Sequence, residues 1–330
     1  MYKTFIILKY DKGITSLQSL NYNSTPFELR PLRLHTTLAA LVLLMTVVLN
    51  GCGITPQSDQ PEFADIHLHY NYTHAEVIAV KDVIKKLKNN NVVLATVSSE
   101  PTDFALQLAA NNDWIIPFAT PYYKAGNRLN WYFDTQLVNE IRSQLKTGQY
   151  GGIGEVHITA GVGPSRDNPV FTGLLDLARE YNLPFLIHTD TNDYRYFISI
   201  CEKYSDVRFI WAHAGGTMQP EQLEPLMQAC SNVWLDLAAR DPEHYGALTD
   251  DQGDLLQGWR EFIIQYQDLI MTGTDPVWNA HQIYRWYEAD EGWDHYDDFL
   301  NFHRRWLKQL PVKVEEKIRL TNAQKFFNKP

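Results

Sequence analysis

Three features are scarce in this sequence, and each scarcity excludes a class of protein. Only 3 of the 330 residues are cysteine, too few for a small disulfide-stapled fold. No Gly-x-Gly-x-x-Gly motif follows the first predicted strand, so a dinucleotide site has no support. The formal net charge is −10, and no run of lysine and arginine offsets it. We therefore expect no nucleic-acid partner, because an acidic body repels phosphate backbones.

The composition that remains is that of a folded protein. Hydrophobic residues make up 45% of the chain and aromatic residues 13%, which is enough for a large core. Residues 62–330 have a length that a single barrel domain can use in full. For Cys201 and Cys230, the two cysteines in this part, we expect separate buried thiols rather than a pair.

The N-terminal segment has the pattern of a secretory signal peptide. Residues 36–49 form an apolar run that follows Arg30 and Arg33, and the run is shorter than the roughly 20 residues of a membrane-spanning helix. The segment Leu49-Asn50-Gly51-Cys52 resembles the bacterial lipobox, in which the cysteine is acylated. This resemblance implies a lipid anchor on Cys52 and a location in the bacterial cell envelope, facing the periplasm or the exterior. An uncleaved signal anchor and a plain secreted protein are the alternatives.

These features divide the chain into three parts. Residues 1–51 are predicted to be an N-terminal extension and lipoprotein signal peptide, and residues 52–61 a polar tether. Residues 62–330 are predicted to form the barrel. Contact with a membrane is expected only through the N-terminal lipid.

Short apolar segments alternate with amphipathic ones throughout residues 62–330. Those predicted as strands are 63–69, 92–98, 114–120, 152–158, 184–189, 207–213, 233–237 and 269–274. Continuous apolar runs of this length are typical of strands buried on both faces of a parallel sheet. The segments predicted as helices are 75–88, 133–146, 169–181, 221–230 and 255–266. The pattern predicts an α/β fold, a (β/α)8 TIM barrel, with a doubly wound open sheet as the structural alternative.

Histidines and acidic residues stand at the C-terminal ends of several predicted strands. The first strand ends in His67-Leu68-His69, and alternation along a strand points both imidazoles to one face. The other residues of this kind are Glu155, His157, His188, His213 and Asp275. A parallel barrel brings the C-terminal ends of its strands to one rim, so these side chains should surround one point. Burying so many titratable groups is costly without a cation, so the pattern predicts a divalent metal site there.

From Asp65 to Phe327 the chain resembles the metal-dependent amidohydrolase superfamily of (β/α)8 barrels. Beside the ordered ligand series, the resemblance is carried by Ala212-His213-Ala214-Gly215-Gly216, Gly273-Thr274-Asp275-Pro276 and Leu320-Thr321-Asn322-Ala323. It implies one of two ligand sets. In a two-metal site, one ion is held by His67, His69 and Asp275. The second is held by His188 and His213, with Glu155 as the bridge.

In a one-metal member of the superfamily, the ligand set is smaller. The ion is then held by His67, His69, His188 and Asp275. His213 in that case polarises the substrate. His157 matches no ligand position of either set, and its role is open.

The function that the resemblance implies is metal-assisted hydrolysis of a small-molecule ester, amide or lactone. One or two divalent ions would lower the pKa of water and polarise the scissile carbonyl; the ligands suit Zn²⁺, with Mn²⁺ or Mg²⁺ as alternatives. Asp275 would accept the proton and pass it to the leaving group. The alternatives are a decarboxylase on the same scaffold, a TatD-type phosphodiesterase and a non-catalytic binding lipoprotein.

Substrate contacts are expected from the long loops at the rim. Arg240, after the seventh strand, is a candidate for an anionic substrate group, with a surface ion pair as the alternative. Asp190 is predicted to face the same way as His188, where it would orient a ligand or cap the next helix. Trp278, just past the last strand, is the candidate for a lid or apolar wall over the site. After the third strand, the candidates are Tyr122, Lys124, Arg128 and Trp131. The other aromatic residues up to 306 are expected to pack the last helices onto the barrel.

Overall fold

A computed structural model describes residues 60–158, 163–189, 193–246, 248–277 and 289–328. The predicted signal peptide, Cys52 and most of the tether lie outside these ranges. From Ile54 to Pro330 the chain forms a compact unit of its own. Within the described ranges, no helix is both long and apolar enough to span a bilayer.

The strands form one eight-stranded sheet in chain order, and each pairs in parallel with the next. They are β1 (Phe63–His69), β2 (Val92–Ser98), β3 (Ile115–Ala119), β4 (Gly152–His157), β5 (Phe185–His188), β6 (Phe209–Trp211), β7 (Val233–Asp236) and β8 (Ile270–Met271). The predicted (β/α)8 barrel is therefore confirmed. β6 and β8 are shorter than predicted, because the chain leaves the sheet before it reaches His213 and Asp275.

β8 meets β1 and closes the barrel. The Ile66 N–H donates to the carbonyl oxygen of Thr272 over 3.0 Å, and the Asp275 N–H donates to that of His67 over 2.8 Å. Gly273 permits this approach, since a Cβ on it would stand 2.6 Å from the Cβ of His67. The first and last strands therefore lie side by side, and the histidines of β1 stand next to Asp275.

Helices follow most of the strands and pack around the barrel. In chain order they are α1 (Tyr72–Ala75), α2 (Val80–Asn89), α3 (Asp103–Ala109), α4 (Leu137–Leu145), α5 (Pro169–Tyr181), α6 (Arg195–Lys203), α7 (Pro220–Ala229), α8 (Gln257–Gln265), α9 (Tyr296–Leu307), α10 (Val312–Glu316) and α11 (Asn322–Phe327). α5 has the predicted bounds, because Asn168 caps its first N–H groups and Pro169 opens its first turn. The sequence pattern does not predict α3 or α6.

The predicted helix 75–88 is wrong in its first part. The chain forms the short α1, becomes extended at Ala79 (φ −81°, ψ 150°) and only then begins α2. The Asn71 N–H donates to His74 Nδ1 over 2.9 Å, and the Tyr70 hydroxyl donates to the carbonyl oxygen of Ile78 over 3.0 Å. These local hydrogen bonds stabilise the loop after β1, and a continuous helix would not allow them to form.

The N-terminal end of the barrel is filled by the C-terminal helix. Leu320, Ala323 and Phe326 pack in one apolar cluster with inward-facing strand residues such as Ile66 and Leu186. A larger cluster lies between the strands and the surrounding helices, and it includes Trp293, Tyr296 and Trp306. These aromatic residues confirm the predicted packing role for the described part of the last segment; Tyr284, Trp286 and Tyr287 lie outside the described residues. With one end filled, the open end is the rim where the strands finish.

Cys201 and Cys230 correct the prediction of two separate thiols. They form a disulfide, with Cα atoms 6.1 Å apart and a sequence separation of 29. Cys201 lies on the buried face of α6, and Cys230 ends α7. Consecutive helix–strand units pack side by side, so positions about one unit apart in sequence become neighbours. That adjacency depends on the barrel and is not visible in a two-cysteine sequence.

We expect the disulfide to stabilise the barrel. Replacing both cysteines by serine should lower the free energy of unfolding by about 2–4 kcal/mol, because the cross-link no longer restricts the unfolded chain. Urea denaturation of the double variant, beside wild-type protein with and without reductant, measures this. An unchanged midpoint in both comparisons would show that the bond contributes nothing to stability.

His303 of α9 is fully buried and held neutral. Its Nδ1 accepts the indole N–H of Trp306 over 3.1 Å. Burial lowers the pKa of His303 from 6.5 to about 4, although the nearby Asp241 and Asp236 oppose the shift. Below pH 6.5 the unfolded chain binds a proton here, whereas the folded protein does so only near pH 4. The free energy of unfolding therefore falls as the pH drops through this window.

Substituting His303→Gln should remove this part of the acid sensitivity. Between pH 7 and pH 4 the wild-type protein should lose about 3 kcal/mol more than the variant, the free energy of a shift of this size. Urea unfolding at several pH values gives both curves, and glutamine can still accept the Trp306 N–H. Parallel curves would mean that His303 already titrates normally in the folded state.

Candidate metal centre

Six of the predicted site residues meet at the C-terminal rim of the barrel: His67, His69, Glu155, His188, His213 and Asp275. All six are buried, with exposures of 8% or less, and they come from β1, β4, β5 and the turns after β6 and β8. The Nε2 atoms of His67 and His69 stand 3.2 Å apart. Three combinations of these side chains bring their ligand atoms within 4.8 Å of one another: His67, His69 and Glu155; His67, His213 and Asp275; and Glu155, His188 and His213.

The Glu155 carboxylate lies between two pairs of histidines. Its Oε2 is 3.2 Å from His69 Nε2 and 3.7 Å from His67 Nε2. Its Oε1 is 2.6 Å from His188 Nδ1 and 3.6 Å from His213 Nε2. Each oxygen therefore faces a different pair, which is the arrangement that a bridging carboxylate requires.

Asp275 spans the same gap from the other side. Its Oδ1 is 3.3 Å from His69 Nε2, and its Oδ2 is 3.7 Å from His213 Nε2. Both Asp275 (φ 55°) and His213 (φ 56°) have left-handed backbone conformations, which are uncommon outside glycine and cluster at functional sites. The two turns direct these side chains inward just after their strands have ended.

The far ring nitrogens of three histidines are already engaged. His67 Nδ1 is 2.5 Å from Asp236 Oδ2. His69 Nδ1 is 3.2 Å from the carbonyl oxygen of Ser98, and His213 Nδ1 is 3.0 Å from that of Ala238. Because a carbonyl oxygen only accepts, the Nδ1 atoms of His69 and His213 carry the proton, and their Nε2 lone pairs face the centre. This tautomer is the one that a metal ligand needs.

The charges within the cluster balance one another. Burial alone would raise the pKa of Glu155, but His157, His188 and His67 together hold it well below its ordinary value. Burial likewise opposes ionisation of Asp275, and His67, His69 and His213 lower the pKa of that carboxyl. Both shifts favour the ionised form of these carboxylates. Imidazole nitrogens and ionised oxygens converging on one buried volume are the ligands of a divalent metal ion.

Asp65 fastens the base of the site. Its carboxylate is fully buried and accepts from the N–H and hydroxyl of Thr274 over 3.0 and 2.8 Å and from the Tyr296 hydroxyl over 3.1 Å. Burial raises the pKa of Asp65 to about 7, and these hydrogen bonds limit the rise. Asp65 thereby ties β1, α9 and the residue preceding Asp275 together.

His157 has a role beside the ligands. The Arg128 guanidinium lies 2.8 Å from its Nε2, and the Tyr122 hydroxyl lies 2.6 Å from its Nδ1. Burial and the charge of Arg128 hold the pKa of His157 well below its ordinary value. Its ring stacks on His188 with centroids 4.4 Å apart. With both nitrogens engaged, His157 links the loop after β3 to the cluster; it is absent from the combinations that could hold an ion.

The predicted substrate contacts divide into described and undescribed residues. Asp190 and Trp278 lie outside the described residues. Arg240 is fully buried, so the surface ion pair, the alternative considered for it, is wrong. Its guanidinium lies over the Trp259 ring, 4.5 Å from the centroid, and donates to the carbonyl oxygen of Met218 over 2.6 Å. Its Nε and Nη1 have no hydrogen-bond partner among the described residues.

Residues 100–329 match the family whose description is amidohydrolase. This match covers more than half of the chain. The chain belongs to the amidohydrolase family. No curated protein matches the sequence.

Solved structures of other proteins share the amidohydrolase barrel at low identity. An amidohydrolase from Burkholderia multivorans with bound zinc has 12% identity and a TM-score of 0.51, covering 82% of this chain and 100% of that one. A TatD homologue from Escherichia coli K12 has 15% identity and a TM-score of 0.54, covering 81% and 98%. A dihydroxybenzoic acid decarboxylase from Polaromonas sp. JS666 with bound manganese has 12% identity and a TM-score of 0.51, covering 81% of this chain and 97% of that one. These likenesses show the fold.

Three residues at the site were not predicted from the sequence. Asp236 is the last residue of β7, and Asp65 lies two residues before His67 on the same face of β1, so the strand-end pattern could have found both. Tyr245, whose hydroxyl lies 3.3 Å from His188 Nε2, stands in a long loop after β7. No local signal marks it, because its position depends on the path of that loop.

Replacing Asp236 should weaken metal binding without removing a ligand. In an Asp236→Asn variant the His67 ring loses its ionised partner, and we expect metal affinity to fall by about 10–100-fold, as is usual for such partners. Competition with a chromogenic chelator measures the affinity. Asp241→Asn is the matched control, since Asp241 is a buried acid that pairs with His244 instead. Equal losses in the two variants would assign the effect to general destabilisation.

Proposed function

We propose that this protein is a metal-dependent hydrolase of a small-molecule ester, amide or lactone. The observation that supports it most is the arrangement of Glu155 and Asp275, whose paired oxygens face different histidines. Such carboxylates suit a two-ion centre, with His67, His69 and Asp275 on one side and His188 and His213 on the other. Glu155 then lies between the two ions.

The metal would supply Lewis-acid chemistry, because a divalent ion polarises a carbonyl and makes water a better nucleophile near neutral pH. Zinc suits the four imidazoles and two carboxylates, and manganese or magnesium are the alternatives. The smaller ligand set of a one-ion member lies within the same group of residues, so the number of ions is part of the proposal.

Asp275 is proposed as the group that moves the proton. It is ionised, and its Oδ1 has no hydrogen-bond donor among the described residues, so it can accept a proton from water at the centre. From the same position it can deliver that proton to the leaving group. His213, whose Nε2 faces Asp275 across 3.7 Å, is positioned to contact the substrate oxygen in a one-ion arrangement.

Positive groups beside the centre favour a substrate with an anionic part. Arg128 reaches the pocket that His69, Glu100, Tyr122 and Glu155 also line. Arg240 stays a second candidate from the sequence; it is fully buried against Trp259, and two of its nitrogens have no partner among the described residues. Asp190 and Trp278 remain predicted contacts from the same rim. A small carboxylate-bearing ester or lactone is the substrate class that these groups would recognise.

The location is proposed to be the bacterial cell envelope, with a lipid on Cys52. The disulfide between Cys201 and Cys230 supports this, since such bonds persist in oxidising compartments. Acylation of Cys52 is tested by mass spectrometry of the protein from membranes. An unmodified Cys52 at the mature N-terminus would leave a plain secreted protein.

The reaction class is tested by metal content and activity together. We expect about two divalent ions per chain and activity on at least one member of an ester, amide and lactone panel, lost with chelator and restored by Zn²⁺. Glu155→Ala should lose at least one ion and more than 100-fold in activity, because the bridging carboxylate is gone. Glu140→Ala, which removes the same charge from an exposed position of α4, is the control.

Two outcomes would reject parts of this proposal. Activity that survives complete removal of metal would reject metal-dependent hydrolysis. One tightly held ion, with Glu155→Ala leaving both metal content and activity intact, would reject the two-ion centre. Carbon dioxide release from aromatic or unsaturated acids, without hydrolysis of the panel, would select the decarboxylase alternative.

A further inference from the structure

A second cavity lies at the end of the barrel opposite to the metal centre. Its volume is about 260 Å³, and it is lined by Gln60, Pro61, Arg304, Lys308, Leu310, Val312, Glu315 and Arg319. Gln60 and Pro61 precede β1, so the cavity stands where the described chain begins. Because the strands are parallel, this is the N-terminal end of every strand, and the metal centre is at the other end.

The charges around this cavity are mainly positive. Arg319 is paired with Glu315, which leaves Arg304 and Lys308 without an acidic partner among the described residues. Arg304 is 6% exposed; it donates through Nη2 to the carbonyl oxygen of Asn90 over 2.5 Å, but its Nε and Nη1 have no partner in the described part of the chain. Burial lowers the pKa of Arg304, and the charge of Arg319 adds to this. An anion in the cavity would offset both the burial of the Arg304 charge and its repulsion by Arg319.

The positive charge continues along the C-terminal segment. Residues 304–325 contain seven basic and two acidic residues, a net charge of +5 in a chain of −10. Lys313 and Lys325 are exposed, whereas Lys317 is paired with Asp268 over 2.7 Å. No contiguous run of lysine and arginine marks the segment, which is why the sequence pattern does not predict a basic patch. The fold of α9, α10 and α11 gathers these residues at one end of the barrel.

An exposed aliphatic side chain stands among these cations. Val312 opens α10 and is 80% exposed. Together with Pro61 and Leu310 it gives the cavity an apolar wall. Cationic groups around an exposed apolar side chain are the pattern of surfaces that lie at the boundary between lipid headgroups and acyl chains.

In contrast to the expectation that only the N-terminal lipid contacts a membrane, we propose that this end of the barrel docks on an anionic phospholipid bilayer. The docking surface is formed by Arg304, Lys308, Val312, the cavity that they line and the exposed Lys313. A lipid phosphate would occupy the cavity beside Arg304 and Lys308, and Val312 would contact the headgroup boundary. The described chain begins at this end, and the 59 residues before it include the apolar run 36–49. The described chain therefore begins on the side of the molecule that carries these cations.

A membrane fits this patch better than a nucleic acid does. A duplex would need a longer cationic track and would meet the acidic remainder of the body. A bilayer surface contacts only one end of the barrel and accommodates the exposed Val312. In this orientation the metal centre faces away from the membrane, whatever reaction it performs.

The docking surface is tested by vesicle binding of the Ile54–Pro330 unit. This unit is compact and contains all eight strands and the core around them, and it lacks the apolar run 36–49. Flotation with vesicles of phosphatidylcholine, with and without 30% phosphatidylglycerol, should show binding only to the anionic vesicles at low salt. We expect Lys308→Glu with Lys313→Glu to weaken this binding at least tenfold, since each cation near an anionic surface is worth about fivefold.

Lys81→Glu with Lys85→Glu is the matched control. These lysines are exposed on α2, and their reversal changes the net charge by the same amount. Because they lie outside the proposed surface, their reversal should weaken binding by less than threefold. Circular dichroism and metal content verify that each variant is folded. No preference for phosphatidylglycerol, or equal losses in the two variants, overturns the docking surface. Binding of inorganic phosphate or duplex DNA without vesicle binding overturns it as well.

Discussion

Contact between the first and last strands is the constraint on which the metal centre depends. His67 and Asp275 are separated by about 200 residues in sequence, and only closure of the barrel places their atoms within 4.0 Å. Two backbone hydrogen bonds make the contact, Gly273 gives it room, and the buried Asp65 carboxylate fixes it by binding Thr274. If β8 moved by one residue along β1, Asp275 would leave the cluster and its charge would have no partner.

The second determinant is the cost of burying charge. Glu155 and Asp275 are both ionised at less than 10% exposure, a state that requires positive groups on all sides. Imidazoles alone supply positive charge only when both ring nitrogens are protonated. In His69 and His213 the contacts with the carbonyl oxygens of Ser98 and Ala238 place one proton on Nδ1. A divalent ion supplies the positive charge while leaving the Nε2 atoms free to coordinate it. Backbone carbonyl oxygens thus orient the imidazoles at the rim so that they can bind a cation.

Sequence reasoning succeeded where the rule was local. Alternation along β1 predicted that His67 and His69 share a face, and the short apolar runs predicted eight strands because buried parallel strands have that composition. It did not extend to features that depend on three-dimensional neighbours. The left-handed turns at His213 and Asp275, the path of the loop that carries Tyr245, and the pairing of Cys201 with Cys230 are set by packing between units. The basic C-terminal surface belongs to the same class, because its residues are dispersed in sequence.

The disulfide has a consequence for how long an ion stays bound. It closes a covalent loop that contains β6, the turn at His213 and α7. A buried ion leaves when the elements that hold it open locally, and such openings are less frequent in a segment whose unfolded conformations are restricted. The residence time of a bound divalent ion would therefore be coupled to the thiol–disulfide balance of the surroundings. Reduction of this one bond would shorten the time that a bound ion stays, and oxidising conditions would lengthen it.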